Sequence, residues 1–150
     1  MITHVVAKTL IFNNEGKLLV LRRSLDDTHR PGGLDLPGGK VDKGEDIIEG
    51  AVREIKEESG IDVMGDGLHW VFADTAATFN TGVQDMVNMV RVTFAARIKD
   101  ADVTLSPEHD EYSWHTLDEA LEIFAGLRFE EVIKHMIENN VAHDLWSLKV

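Results

Sequence analysis

Three glutamates, Glu54, Glu57 and Glu58, stand at i, i+3 and i+4 in the run REIKEESGI. On a helix that spacing crowds three carboxylates onto one patch. Like charges so placed cost an ordinary helix about 0.2–0.5 kcal/mol per pair, so the pattern asks for a cation among them. Oxygen ligands on a rigid element suit a hard divalent ion, Mg²⁺ or Mn²⁺. The chemistry open to such a patch is what a bound divalent ion supplies, charge neutralisation and a more acidic bound water.

The element that must hold these glutamates is a helix from about Asp46 to Ser59. Ile47, Ile48, Ala51, Val52 and Ile55 recur at the spacing of a buried stripe. Asp46 is placed to cap its start, with Glu49 three residues on. Gly60 is placed to end it. Gly50, inside the helix, costs about 1 kcal/mol relative to alanine and marks close packing. Before the helix comes LPGG, in which Pro37 fixes the approach and Gly38 and Gly39 permit backbone geometry closed to other residues.

Residues 39–61 resemble the signature of the Nudix hydrolases: a glycine, five residues, a glutamate, seven residues, then R-E-U-x-E-E-x-G-U with U bulky and aliphatic. Gly39, Glu45, Arg53, Glu54, Ile55, Glu57, Glu58, Gly60 and Ile61 fill every specified position. The resemblance implies an α/β fold, an α/β/α sandwich around a mixed sheet, with the signature as a strand-loop-helix unit. It implies metal ligation by Glu54, Glu57 and Glu58, with a backbone carbonyl from the Gly38–Gly39 region. It also implies a further carboxylate from a later acidic loop, LSPEHDEYSW. Glu111 is the first choice there, with Glu108 and Asp110 as alternatives and His109 lying among them. Glu54, then Glu111, are the candidate general bases. Arg53 is read as a clamp on neighbouring carboxylates, with Glu45 the candidate partner. By the same resemblance Arg23, at the end of the second strand, is the candidate for substrate phosphate.

Along the chain, residues 4–12 and 17–23 read as a hairpin about the turn Asn13–Gly16. Residues 24–33 read as a loop. Ile61 to Ala73 reads as a strand broken at Gly65–Gly67, and residues 74–85 as a loop. Met86 to Ile98 alternates, with Val90, Val92, Phe94, Ala96 and Ile98 on one face, which predicts a long central strand. Asn88 shares that face and offers an amide to a base or sugar. Thr116 and Glu119 form a capping box that opens a helix through about Phe124. Phe129, Val132, Ile133, Met136 and Ile137 stripe a last helix. Trp146, in the tail, offers a ring to dock on the body or on a second copy.

The chain has 150 residues, 43% of them hydrophobic and 28% charged, which suits one domain over 1–150 with a real core. A net charge of −12 argues against a nucleic-acid polymer as partner. It leaves room for a small nucleotide, because a bound cation reverses the local field. The absence of cysteine excludes a disulfide framework, a thiolate zinc site and a cysteine nucleophile. No apolar run is long enough to span a bilayer, and the start lacks a secretory leader. The expectation is a cytoplasmic enzyme, monomer or homodimer. Within the resemblance, the proline typical of ADP-ribose enzymes is replaced by Ala77, and the tyrosine typical of diadenosine polyphosphate enzymes by Thr78 or Phe79. What remains is a Mg²⁺-dependent nucleoside triphosphate pyrophosphohydrolase. Enzymes of ADP-ribose, nucleotide sugars and dinucleoside polyphosphates are the alternatives, and a non-catalytic nucleotide sensor stands behind them.

Overall fold

The first strand, β1 (Thr3–Phe12), is the spine of the sheet. Its β-branched and aliphatic residues alternate between two cores. Leu10 and Phe12 face one, Ala7 and Ile11 the other. In this computed structural model, residues 2–28, 30–80, 82–99 and 102–146 are described, the side chains of Asn80 and Trp146 excepted. The remaining strands are β2 (Leu18–Arg23), β3 (Leu34–Asp35), β4 (Gly38–Lys40), β5 (His69–Asn80), β6 (Asp85–Arg97) and β7 (His109–His115). They form one mixed sheet of order β3-β2-β1-β6-β5, with β4 also paired to β1 and β7 to β2.

β1 runs parallel to β6 along its whole length, from Thr3 opposite Asn88 to Phe12 opposite Arg97. On its other side β1 meets β2 only near the hairpin turn, at Phe12 and Leu18. The edge so opened is taken by β4, with Val6, Ala7 and Lys8 opposite Lys40, Gly39 and Gly38. This split in the sheet seats LPGG against β1. Gly38 has φ +144°, and a Cβ there would stand 2.0 Å from the Ala7 carbonyl oxygen, so no other residue fits.

Helices cover both faces. α1 (Ile47–Ser59) packs Ala51 and Ile55, with Ile47, Ile48 and Val52 beside them, onto Ile11, Leu19, Phe94 and Ala96. The Asp46 carboxylate accepts from the Ile48 and Glu49 N–H groups, and Gly60 closes the helix at φ +74°. α2 (Leu117–Ile123), α3 (Glu130–Glu138) and α4 (Val141–Trp146) cover the opposite face through Ala120, Phe124, Val132, Ile133, Met136 and Leu145. The capping box on α2 is formed by Thr116 and Glu119 as expected. Among the described residues, no helix is long and apolar enough to cross a membrane.

Two boundaries depart from expectation. The strand expected over Ile61–Ala73 begins only at His69, after a 3₁₀ turn over Gly65–Gly67. The loop expected over 74–85 is instead the far half of β5 and the start of β6, paired through Asn80 and Asp85. That half of β5 is mostly exposed, so it shows no apolar alternation. Its pairing with β6 holds it extended. The helix α4 is not foreshadowed by the sequence pattern, and the docking suggested for Trp146 concerns a side chain outside those described.

Ile55 is fully buried between α1 and the sheet. Truncation to alanine should cost about 2–5 kcal/mol, read as a lowered urea midpoint with unchanged slope. An unchanged midpoint would contradict this packing.

Candidate active site

The site forms where LPGG crosses α1. Lys8 lies in an apolar strand, nearly fully buried. Its Nζ donates to Asp35 Oδ1 (3.0 Å), to the Leu36 carbonyl (3.1 Å) and to the Gly38 carbonyl (3.0 Å). All three ammonium donors are used, and the loop is fastened to β1. Asp35, also buried, receives Arg23 Nη1 at 3.1 Å and lies 3.3 Å from His109 Nε2. Burial alone would raise its pKa, but the Lys8 charge and the His109 and Lys8 hydrogen bonds outweigh it and hold Asp35 ionised.

Across the loop, Glu58 Oε2 accepts from the Gly38 N–H at 3.0 Å. Glu58 is only 4% exposed, and its burial pushes its pKa up to about 8 despite Lys8. Glu54 lies beside it, against Gly39. A Cβ on Gly39 would come within 2.8 Å of the Glu54 carboxylate, so glycine there is a cradle for that group. Burial raises the Glu54 pKa too, against the hydrogen bond from Arg53.

Arg53 is the clamp expected. Its Nε and Nη2 grip Glu45 (2.7 and 3.0 Å), Nη1 donates to Glu54 (3.0 Å) and Glu57 (3.2 Å), and Nη2 reaches the Lys40 carbonyl (3.2 Å). The paired fork draws the Glu45 pKa down to about 2. Gly50 proves to be the space for Glu45, since a Cβ there would stand 2.8 Å from its Oε1.

The structure places three groups of expected site residues as follows. First, Glu58 is grouped with Glu108 and His109: among the described residues, these three bring their ligand atoms within 4.8 Å of one another. Glu57 stays exposed on Arg53, while Glu54 lies between Arg53 and Gly39. Second, Glu108 rather than Glu111 is the loop acid at Glu58. The register of β7 on β2 shifts between Arg22 and Arg23, which breaks the alternation. His109 points inward, whereas Glu111 is exposed and pairs with Arg22 at 2.8 Å, beside Asp110 at 2.9 Å. The Glu108 turn is docked by Ser24, whose N–H donates to the Glu108 carbonyl (2.9 Å) and whose hydroxyl donates to that of Pro107 (2.7 Å). Third, Arg23 does not present a free fork to substrate. Its Nε and Nη2 are spent on Asp27 (3.0 and 2.9 Å) and Nη1 on Asp35.

Asn88 is exposed on β6, opposite Ala77. Lys8 and Asp35 are site residues that spacing within the motif does not reveal. Their signal is in the sequence all the same: each is a lone charge within an otherwise apolar stretch, VVAKTLIF and LDLP.

The donors fit a divalent cation. Glu58 is a carboxylate whose proton affinity is raised by burial, and His109 Nδ1 is buried with no hydrogen-bond partner. Glu58 and Glu108 offer oxygen and His109 one nitrogen within one cluster, and the carboxylates of Glu54 and Glu57 stand on the same helix as Glu58.

A model of the NUDIX domain matches residues 2–136. The nucleoside triphosphatase NudI of Klebsiella pneumoniae is 33% identical over 107 residues, covering 69% of this chain and 76% of that protein. The MutT protein of Methanosarcina mazei superposes with a TM-score of 0.80 at 30% identity, over 93% of this chain and 96% of its own. The dihydroneopterin triphosphate pyrophosphohydrolase of E. coli shares the fold, with a TM-score of 0.70 at 20% identity over 93% and 99% of the two chains.

Glu58 makes a signed prediction for the metal-free protein. Its folded pKa lies above its unfolded value, so the folded state holds the extra proton between them. Its contribution to stability therefore falls as pH rises from about 4.5 to about 8. In chelator, Glu58→Gln should melt progressively higher than the parent across that window. A melting difference that does not change with pH would contradict the burial argument.

Proposed function

The chain belongs to the Nudix hydrolases, and from that premise we propose that it is a Mg²⁺-dependent pyrophosphohydrolase of nucleoside triphosphates. The observation that carries this reading is the meeting of buried Glu58 with Glu108 and His109 beside the Gly39 cradle of Glu54. The likeness to NudI, named for its action on nucleoside triphosphates, supports the substrate class. Mn²⁺ is the natural substitute, since the donor set includes an imidazole.

Glu54, Glu57, Glu58 and Glu108 would hold the cations, with the Gly38–Gly39 backbone as a further oxygen source. Bound there, a divalent ion supplies charge neutralisation at the phosphates and raises the acidity of water. Glu54 is the general base: Arg53 holds Oε1, and Oε2 takes the proton of the attacking water. The water oxygen bonds to phosphorus as the bridging P–O bond breaks, and the leaving phosphate carries off the electron pair. Arg53 is a positioning residue that keeps Glu54 and Glu57 in place and is itself braced by Glu45. Lys8 is a second positioning residue, because it fixes the carbonyls of Leu36 and Gly38. A single domain working in the cytoplasm on small nucleotides fits the composition.

The test is a panel of nucleoside triphosphates, nucleotide sugars, dinucleotides and ADP-ribose with Mg²⁺, read as released phosphate or pyrophosphate. Triphosphates should be cleaved best, and no cleavage of any nucleotide would end the proposal. Glu57→Gln and Glu108→Gln should each lose about 100-fold in turnover while keeping the unfolding midpoint. Glu111→Gln should keep full turnover. The reverse order would restore Glu111 to the site.

A further inference from the structure

Four arginines, Arg23, Arg30, Arg91 and Arg128, gather about Asp35, in a chain whose net charge is −12. Two are neutralised by carboxylates. Arg23 is held by Asp27 and Asp35. Arg91 on β6 grips Asp74, its neighbour across β5, with Nε donating to Oδ1 at 2.9 Å and Nη2 to Oδ2. The other two, Arg30 and Arg128, have no carboxylate oxygen within 4.0 Å among the described residues. Both are half-buried.

The acids close to Arg128 in sequence are engaged elsewhere. Glu130 accepts from the Gly126 N–H (3.1 Å) and pairs with Lys134 (3.5 Å), and Glu131 also lies toward Lys134 (4.0 Å). The Arg128 guanidinium instead sits 4.9 Å from the centroid of the Phe129 ring, and that of Arg91 sits 4.8 Å from the same centroid. Phe129 is buried against Phe124, edge to face at 5.9 Å, in a left-handed conformation with φ +72°. A bulky residue at positive φ is strained and persists only where its surroundings demand it. Here it seats two guanidinium groups on one ring.

Burial, and then the Arg30 charge, push the Arg128 pKa down to about 10. Arg30 is lowered too, by burial first and then by Arg23 and Arg91, against the pull of Asp35 and Asp27. Half-buried cations that repel one another stabilise nothing by themselves. They form a site when an oxyanion arrives, because a guanidinium fork binds phosphoryl and carboxylate groups with two parallel hydrogen bonds. The patch lies close to the proposed reaction site. Asp35 Oδ2 touches both Arg23 Nη1 (3.1 Å) and His109 Nε2 (3.3 Å), and His109 belongs to the set with Glu58 and Glu108.

We infer that Arg30 and Arg128, walled by Arg91 and the Phe129 ring, are an oxyanion subsite for a phosphoryl or carboxylate group on the substrate, separate from the phosphates at the glutamates. This deepens the proposed hydrolysis of nucleoside triphosphates and rests on that reading. It predicts that the enzyme selects substrates with an anionic group beyond the scissile bond and disfavours those with a neutral sugar there.

The first arm of the test is independent of turnover. The full chain, stripped of metal with chelator, is melted in rising inorganic phosphate, with chloride keeping ionic strength constant. Phosphate should raise the melting temperature of the parent. Arg30→Gln and Arg128→Gln should each need about tenfold more phosphate for the same rise. Arg30→Gln is the control for folding, since among the described residues Arg30 makes no ring contact of the kind that ties Arg128 to Phe129. No phosphate effect on the parent, or equal effects on parent and Arg30→Gln, would overturn the subsite. In the second arm, Arg30→Gln should raise KM for the triphosphate about tenfold with kcat held. Loss of kcat at constant KM would overturn it. If no nucleotide is cleaved but the phosphate response still depends on Arg30, the subsite stands and the proposed reaction fails. If triphosphates are cleaved but the phosphate response ignores Arg30, the reaction stands and the subsite fails.

Discussion

Charges removed from water need partners of opposite sign, and the two sides of this site are unbalanced in opposite directions. Toward α1 the excess is carboxylate: Glu58 is buried with an elevated pKa, and Glu108 stands next to it. Toward α3 the excess is guanidinium, on Arg30 and Arg128. The seam between them is balanced within the protein, by Lys8, Asp35, Arg23 and His109. A metal–phosphate substrate has the complementary pattern, cations at one end and oxyanions throughout. The folded chain alone leaves both sides electrostatically incomplete.

The sheet makes this arrangement possible. β1 is bound to β6 along its length and parts from β2 after the hairpin turn, which leaves room for Gly38–Lys40. The Lys8 ammonium closes that join from within the strand face. Because α1 follows directly from the join, its last turn brings Glu58 onto the Gly38 N–H. The glycines are shaped by the same demand: Gly38 admits the β1 backbone, Gly39 admits Glu54, and Gly50 admits Glu45. Each of these glycines can thus be traced to a specific approach of atoms.

The helix that carries the motif was legible because its apolar stripe, its Asp46 cap and its terminal Gly60 all agree. So was β6, whose alternation is that of a strand packed on both faces. The far half of β5 was not, because an exposed strand held by backbone pairing leaves no hydrophobic pattern. In the site, the Arg53 clamp was legible from the sequence, whereas which way Glu108, Asp110 and Glu111 face turned on a register shift that a string of residues does not display. Arg23 was placed correctly at the strand end, but the carboxylates that occupy it come from a loop and from β3. Spacing reports neighbours on one element well and says little about partners on another.

The most direct measurement of the charge argument is proton release on cation binding. Calorimetric titration of the metal-free chain with Mg²⁺ at pH 7, repeated in buffers of different ionisation enthalpy, counts the protons displaced. With the Glu58 pKa near 8, about one proton should leave per cation-binding event at pH 7, and fewer as pH rises toward 9. Binding that displaces no proton at pH 7, or the same number in Glu58→Gln, would show that the buried carboxylate is not where the cation acts.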